Sequence, residues 1–254
     1  MAVTYAGGAT VGTITLDKPP ANSYDLAFMV ELGEAIDAAA ADRAARVVVV
    51  RSASERFFCA GADIKAFLAN DVDANMEMIR TAHRTLSRIA AADQAFVAWI
   101  AGHALGGGLE IALACDLRYA AAGEFRLGTP EVTLGLLPGN GGTQRLTRLI
   151  GRGPALELQL TGRQVAPDEA QRLGIVGGVF ADEEAFTAHV EKLAAGPPMA
   201  IAAIKRCVHD GAEQPLEDGL ALERDRIEAL FRSRDATEGL TAFVEKRAPE
   251  FVGA

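Results

Sequence analysis

FCAGADIKAF at Phe58–Phe67 and GHALGGGLEIALACD at Gly102–Asp116 are the two stretches that decide the fold of this chain. Each runs from an apolar, strand-like segment through a turn of small residues into a helical pattern. Such turns leave backbone N–H groups unpaired, because the first N–H groups of a helix have no acceptor within it. Two turns of this kind that face one point would form a site for a developing oxyanion.

Two carboxylates accompany these turns. Glu110 lies three residues after Gly107 on the same helical face, within the apolar stretch Leu109–Cys115. An unpaired charge is costly to bury, so this carboxylate is either desolvated and functional or paired with a cation. Glu131 follows Thr129-Pro130, which predicts a helix N-cap and first helical position. Spacing alone favours dipole compensation for Glu131. Backbone donors with two carboxylates and no nucleophile indicate chemistry on a carbonyl compound through an enolate.

Bulk composition excludes several classes of protein. The chain has 254 residues, which suits one large domain or two small ones. Its formal net charge of −9 argues against a nucleic-acid-binding face, so an anionic ligand would need local cations and backbone donors. The start shows no export signal, and the longest apolar runs, such as Ala95–Ala101, are too short to span a membrane. We expect a soluble cytoplasmic protein with no nucleic-acid or membrane partner.

Cysteine and glycine patterns exclude further classes. The widely spaced Cys59, Cys115 and Cys207 predict neither disulfides nor a zinc site, and Cys59 is interpreted as a small buried residue. The runs Gly102–Gly106 and Gly139–Gly142 do not form GxGxxG, and no Walker A pattern occurs, so we expect no nicotinamide cofactor and no nucleotide hydrolysis. A serine hydrolase would need a nucleophile and a histidine near the turns, and the sequence offers no such pair.

Hydrophobic periodicity predicts an α/β arrangement with parallel pairing, followed by helices only. The predicted strands are Thr10–Leu16, Val47–Arg51, Phe96–Ala101, Leu117–Ala120 and Ile175–Phe180, and the predicted helices are Asp25–Ala41, Ala74–Ala90, Met199–His209, Leu216–Ser233 and Thr237–Lys246. The Gly196-Pro197-Pro198 run marks the change of pattern. We therefore expect an α/β catalytic core over residues 1–195 and a helical region over residues 196–254.

Four motifs carry a resemblance to a known family: GADIK, ALGGGxE, PExxLGxxPGxGGTQRL and, at Phe243–Arg247, FVEKR. They are spread over most of the chain, and it resembles the enoyl-CoA hydratase (crotonase) family. The resemblance implies a crotonase-like spiral of repeated β-β-α units with a C-terminal helical trimerisation region. It also implies a homotrimer or a dimer of trimers.

The resemblance assigns roles to individual residues. It implies an oxyanion hole formed by the N–H groups of Ala62 and Gly107, and catalytic roles for Glu110 and Glu131. It implies that Gly139 helps to position the attacking water. Coenzyme A would contact Ala60, Asp63, Ile64, Lys65 and Lys246, the last from a neighbouring subunit.

The implied activity is reversible hydration of a trans-2-enoyl-CoA to a 3-hydroxyacyl-CoA. It needs no metal or redox cofactor, because coenzyme A belongs to the substrate. A double-bond isomerase of the same family is an alternative, since it can operate with one carboxylate. A non-catalytic acyl-CoA-binding subunit is another, although such a protein could lose the acids that this sequence keeps. The sequence does not reveal acyl-chain length, and the segment Ala66–Ile79 is expected to line the acyl pocket.

Overall fold

The computed structural model describes all residues, Met1–Ala254. Its larger sheet has six strands in the order β1-β2-β3-β5-β7-β9. These are β1 (Val3–Ala6), β2 (Val11–Leu16), β3 (Val47–Ser52), β5 (Ala95–Ile100), β7 (Leu117–Ala121) and β9 (Val179–Phe180). Only β1 and β2 pair antiparallel, and every later pair is parallel, as the alternation of strands and helices predicts.

A second sheet of three short parallel strands lies beside the first. It contains β4 (Phe57–Cys59), β6 (His103–Leu105) and β8 (Leu127–Gly128), in that order. In each of the pairs β3–β4, β5–β6 and β7–β8, the first strand lies in the larger sheet and the second in the smaller sheet. Each repeat therefore adds one strand to each sheet. This is the spiral of β-β-α units implied by the resemblance, and it is confirmed.

Helices connect the repeats and cover the sheets. They are α1 (Leu26–Ala41), α2 (Ile64–Ala69), α3 (Val72–Ala91), α4 (Gly107–Ala114), α5 (Gly142–Ile150), α6 (Arg152–Thr161), α7 (Pro167–Arg172) and α8 (Glu183–Ala194). Asp25, Asp71 and Asp182 cap α1, α3 and α8 by accepting a backbone N–H. No helix combines the length and the apolar character that a membrane crossing requires.

The core lies on both faces of the larger sheet. Val47–Val50 are all buried, as expected for a β-branched strand covered on both sides. Their side chains alternate between a main cluster and a smaller cluster around Trp99 and Phe186, whose rings stack with centroids 4.1 Å apart. The larger sheet is therefore packed on both of its faces.

The C-terminal region consists of α9 (Pro198–Gly211), α10 (Leu216–Phe231) and α11 (Arg234–Glu245). The side chain of Lys205 on α9 is buried and lies 2.8 Å from Asp116. Its ammonium also donates to the carbonyls of Ile89 and Gln94 at 2.7 and 2.8 Å. The all-helical pattern after Gly196 is thus present, whereas the assignment of residues 196–254 as a separate domain stays a prediction.

Two local predictions are wrong. Of the predicted strand Ile175–Phe180 only Val179–Phe180 pairs, because Gly174 turns the chain at φ +80° and Ile175 enters the core instead. The helix predicted from Thr129-Pro130 is a single 3₁₀ turn, Glu131–Leu134, which ends at Gly135 with φ +70°. Thr129 does not cap it, and the buried Thr129 hydroxyl has no hydrogen-bond partner.

Candidate active site

The predicted site residues follow the three strands of the smaller sheet and lie at one edge of it. Because these strands are parallel, their carboxyl ends meet at the same edge. Strand β4 leads to Ala62, β6 to Gly107, and β8 to Glu131. The spiral therefore brings together groups that lie far apart in the sequence.

The turn after β4 presents the N–H of Ala62. Ala62 forms an isolated parallel bridge with Tyr24, in which the Tyr24 N–H donates to the Gly61 carbonyl and the Asp63 N–H donates to the Tyr24 carbonyl. In a parallel bridge the central residue directs its own N–H away from the partner. None of the loop hydrogen bonds uses the Ala62 N–H. Gly61 makes the turn at φ +98°, a conformation that favours glycine.

Gly107 supplies the second free N–H. It is the first residue of α4, so its N–H has no intrahelical acceptor and lies at the positive end of the helix dipole. A Cβ placed on Gly61 would lie 3.6 Å from this nitrogen, which shows that the two turns are adjacent. A Cβ on Gly107 itself would meet the Tyr24 hydroxyl at 2.2 Å, so the position has no room for a side chain.

Glu110 is a buried carboxylate held by a neighbouring turn. It is 1% exposed, and its Oε1 accepts the N–H groups of Asn140 at 2.7 Å and Gly142 at 2.6 Å. Burial raises the pKa of Glu110 to about 7, and the charge of Glu131 adds to the rise, whereas these N–H bonds and the Arg145 guanidinium oppose it. A carboxyl with this pKa changes protonation state near neutral pH.

Glu131 lies half-buried in the 3₁₀ turn after β8. Its Oε2 is buried and has no hydrogen-bond partner, while a Cβ on Gly106 would lie 2.7 Å from its Oε1. The carboxyl group therefore lies directly beside the glycine turn that precedes α4. Burial raises the pKa of Glu131 above its usual value, which favours the protonated form.

The Pro138–Gly142 turn joins Gly139 to the same site. The Gly139 carbonyl lies 2.7 Å from Nε2 of His83 on α3, and its N–H makes none of the loop hydrogen bonds. Arg145 donates to the Asn140 carbonyl at 2.8 Å. The turn is thus fixed from two helices, and the role of Gly139 in positioning water stays a prediction.

The residues predicted to contact coenzyme A divide into three groups. The N–H groups of Ala60 and Asp63 are already bound, to the carbonyls of Ala21 and Tyr24, and the Asp63 carbonyl accepts the Phe67 N–H. Of these backbone groups the Ala60 carbonyl is therefore left for a ligand. Ile64 and Lys65 begin α2 and are exposed. Lys246 follows α11, is exposed, and adopts a left-handed conformation at φ +56°. Neither lysine forms an ion pair within the chain.

Three residues near the site were missed or given no role by the sequence reasoning: Tyr24, His83 and Asn140. In the sequence Tyr24 is a single aromatic residue before α1, and Asn140 is a polar residue within a glycine turn. Neither pattern by itself indicates a functional role. Cys59, in contrast, is a structural thiol as interpreted. Its burial raises the pKa to about 12, and its Sγ donates to the Asn22 carbonyl.

The arrangement suits proton transfer around a carbonyl group. Two free N–H groups lie on adjacent turns, the pKa of one carboxyl group is raised to about 7, and burial raises the pKa of a second, half-buried carboxyl group. No serine or cysteine nucleophile contacts a histidine at this edge of the smaller sheet. These features point to acid–base chemistry with a stabilised oxyanion.

Comparisons with known proteins agree with this geometry. Residues 6–254 match the family model for enoyl-CoA hydratase/isomerase. The chain is 41% identical to a probable enoyl-CoA hydratase of Rhizobium meliloti, over 95% of this chain and 94% of that protein. It is 37% identical to the 2,3-dehydroadipyl-CoA hydratase of Escherichia coli, over 94% of each.

Solved structures show the same fold. A crystal structure of an enoyl-CoA hydratase from Bacillus anthracis superimposes with a TM-score of 0.94, at 36% identity, and the match covers 100% of both chains. The likeness in sequence and in fold extends over almost the whole chain. The protein belongs to the enoyl-CoA hydratase/isomerase family.

Proposed function

We propose that the protein catalyses the reversible hydration of a trans-2-enoyl-CoA to a 3-hydroxyacyl-CoA. The observation that carries the proposal is the pair of carboxyl groups of the buried Glu110 and the half-buried Glu131, each with a raised pKa, near the free N–H groups of Ala62 and Gly107. The names of several relatives as enoyl-CoA hydratases support it. The proposed reaction uses no metal or redox cofactor, and coenzyme A enters as part of the substrate.

In the forward direction a water molecule lies between the two carboxyl groups, with Glu110 ionised and Glu131 protonated. Glu110 removes a proton from the water as its oxygen bonds to C3. The electrons of the C2–C3 double bond move to the thioester oxygen, where the N–H groups of Ala62 and Gly107 stabilise the enolate. The enolate then collapses, C2 takes the proton of Glu131, and the thioester carbonyl reforms.

One further proton transfer is needed to restore the starting state of the enzyme. After the reaction Glu110 is protonated and Glu131 is ionised, so a proton must move from the first to the second before the next turnover. The paired N–H bonds to Glu110 favour its ionised form, and the unpartnered, buried Oε2 of Glu131 favours its protonated form. The forward reaction requires Glu110 to be ionised and Glu131 to be protonated when the substrate binds.

A panel of enoyl-CoA thioesters of increasing chain length tests the proposal. Loss of the conjugated absorbance is followed and the products are identified. We expect a 3-hydroxyacyl-CoA product. A 3-enoyl product would favour the isomerase instead, and tight binding without turnover would favour a non-catalytic acyl-CoA-binding subunit.

A carboxylate variant makes the test specific. Glu131→Gln is expected to bind acyl-CoA but to lose about 10²–10⁴-fold in turnover, the usual scale for a general acid. Glu124→Gln is the matched control, because Glu124 is an exposed residue in the loop between β7 and β8. If Glu131→Gln hydrates as fast as this control, Glu131 is not the acid.

We also propose the assembly and the coenzyme A contacts implied by the resemblance. The exposed apolar side chains of the C-terminal helices, among them Leu216, Phe231, Leu240 and Phe243, support a homotrimer or a dimer of trimers. In such an assembly Lys246 of a neighbouring subunit and Lys65 would meet the phosphates of the ligand. The Ala60 carbonyl, Asp63 and the exposed Ile64 would line the rest of its path.

A further inference from the structure

Tyr24 contacts both oxyanion turns. Its backbone forms the bridge that holds Gly61 and Asp63 on either side of Ala62. Its hydroxyl lies against Gly107, whose added Cβ would come within 2.2 Å of the phenol oxygen. Because Tyr24 is only 3% exposed, these contacts fix the ring firmly between the two turns.

Asn140 connects this ring to the carboxylate. Its Nδ2 lies 2.6 Å from the Tyr24 hydroxyl, and its backbone N–H donates to Oε1 of Glu110 at 2.7 Å. Asn140 is fully buried, and its Oδ1 has no hydrogen-bond partner. The contact with the phenol is therefore the one polar anchor of this side chain.

We propose that Tyr24 and Asn140 form a positioning bridge that holds the N–H of Asn140 on Glu110 in register with the two oxyanion turns. The proposal rests on the proposed role of Glu110 as the base. A hydrogen bond to an ionised carboxylate is strong only when it is well aligned. A buried amide without its anchor would shift to reach another partner and move its backbone N–H with it.

The direction of the effect follows from the groups that face Glu110. The Asn140 and Gly142 N–H groups and the Arg145 guanidinium favour its ionised form, whereas burial and the charge of Glu131 oppose it. Burial, and after it the charge of Glu110, raises the pKa of the Tyr24 phenol well above its usual value, so this group stays neutral. Breaking the bridge weakens one favourable bond, so the pKa of Glu110 should rise. Since the base must be ionised, the acid limb of the kcat profile should move to higher pH.

A double-mutant cycle tests the bridge. Tyr24→Phe removes the hydroxyl and keeps the ring, and Asn140→Ala removes the side chain and keeps the backbone N–H. We expect each to lower kcat about tenfold with little change in KM, the scale of one hydrogen bond to a charged group. Each should also move the acid limb upward by about half a pH unit or more. The double variant should be no worse than either single variant, because both break one link.

The matched control is Tyr119→Phe. It also removes a phenol hydroxyl, which here lies 2.9 Å from Nε2 of His189 on a half-buried ring that packs against the smaller cluster around Trp99. We expect this control to leave kcat and the pH profile unchanged. Losses that add in the double variant, an acid limb that stays in place, or an equal effect in the control would each overturn the bridge.

Two further measurements keep the test decisive. If thermal melting shows that Tyr24→Phe is poorly folded, a ring-fluorinated tyrosine at this position weakens the hydroxyl as an acceptor without changing its shape. We then expect a smaller shift in the same direction, and no shift would overturn the proposal. If the wild-type protein hydrates no enoyl-CoA, the proposed function fails, and the bridge is judged by carbon NMR titration of the Glu110 carboxyl. An unchanged pKa in Tyr24→Phe would overturn it.

Discussion

Replacing Glu110 by Gln is expected to stabilise the protein at alkaline pH while it abolishes most turnover. Burial raises the pKa of this carboxyl from 4.5 to about 7, so the folded state binds its proton more tightly than the unfolded state does. The stability that this proton contributes is fully present below the unfolded pKa and is lost as the pH rises through about 7. Gln cannot ionise, so the variant does not lose this stability above that pH.

The size of the effect follows from the two pKa values. Between pH 5.5 and 8.5 the wild-type protein should lose about 2 kcal/mol of unfolding free energy that the variant keeps. For a chain of this length the difference in melting temperature should grow by about 4–8 °C over that range. The side-chain carbonyl of Gln can still accept the N–H groups of Asn140 and Gly142. If its NH₂ group finds no partner, the free-energy cost is the same at every pH and does not affect the comparison.

The assay is thermal and urea unfolding of both proteins at several pH values and one protein concentration, because assembly makes stability depend on concentration. Turnover of a short enoyl-CoA is measured in parallel and should fall about 10²–10⁴-fold. A difference in unfolding free energy that does not change with pH would refute the reasoning, since Glu110 would then titrate like an exposed carboxyl group. Near wild-type turnover would show separately that it is not the base.

Three further outcomes are expected. Ala62→Pro, which removes the N–H, should lose about 10²–10³-fold in rate, whereas Ala62→Ser should stay close to the wild type; equal rates in two well-folded variants would place oxyanion stabilisation elsewhere. Lys205→Met should destabilise the protein by about 1–3 kcal/mol, because the partly buried Asp116 loses its ammonium partner and keeps only the Phe96 N–H and His209, and urea unfolding that shows no loss would contradict this. Light scattering should show a trimer or a hexamer, and a stable, active monomer would count against the exposure of Phe231 and Phe243 as an assembly surface.

Periodicity predicted the larger sheet well and the smaller sheet poorly. A run such as Val47–Val50 is buried on both faces, so its composition alone identifies it. The strands of the smaller sheet are two or three residues long, too short to show any period, and they were inferred only from the turns that follow them. The spiral of β-β-α units came from the resemblance, because periodicity says nothing about which strands pair.

The site was predictable where the chemistry lies in local motifs. The turn at Gly61–Ala62 and the carboxylate at Glu110 are visible as patterns, and the structure places them together. Tyr24 and Asn140 were not, because their contact spans 116 residues and depends on the path of the whole spiral. Long-range hydrogen bonds of this kind have no signature in a single sequence.

The two proposed oxyanion donors, the N–H groups of Ala62 and Gly107, differ in how mutation can affect them. Both are backbone groups, so most amino-acid changes leave the N–H in place, and only proline deletes it. In the genetic code an alanine codon becomes a proline codon by one base change, whereas a glycine codon needs two. Gly107 is nevertheless the more vulnerable position, because any side chain there would collide with the Tyr24 hydroxyl. Random variation should therefore be tolerated better at Ala62, which is only partly buried, than at Gly107, although the two nitrogens share one proposed task.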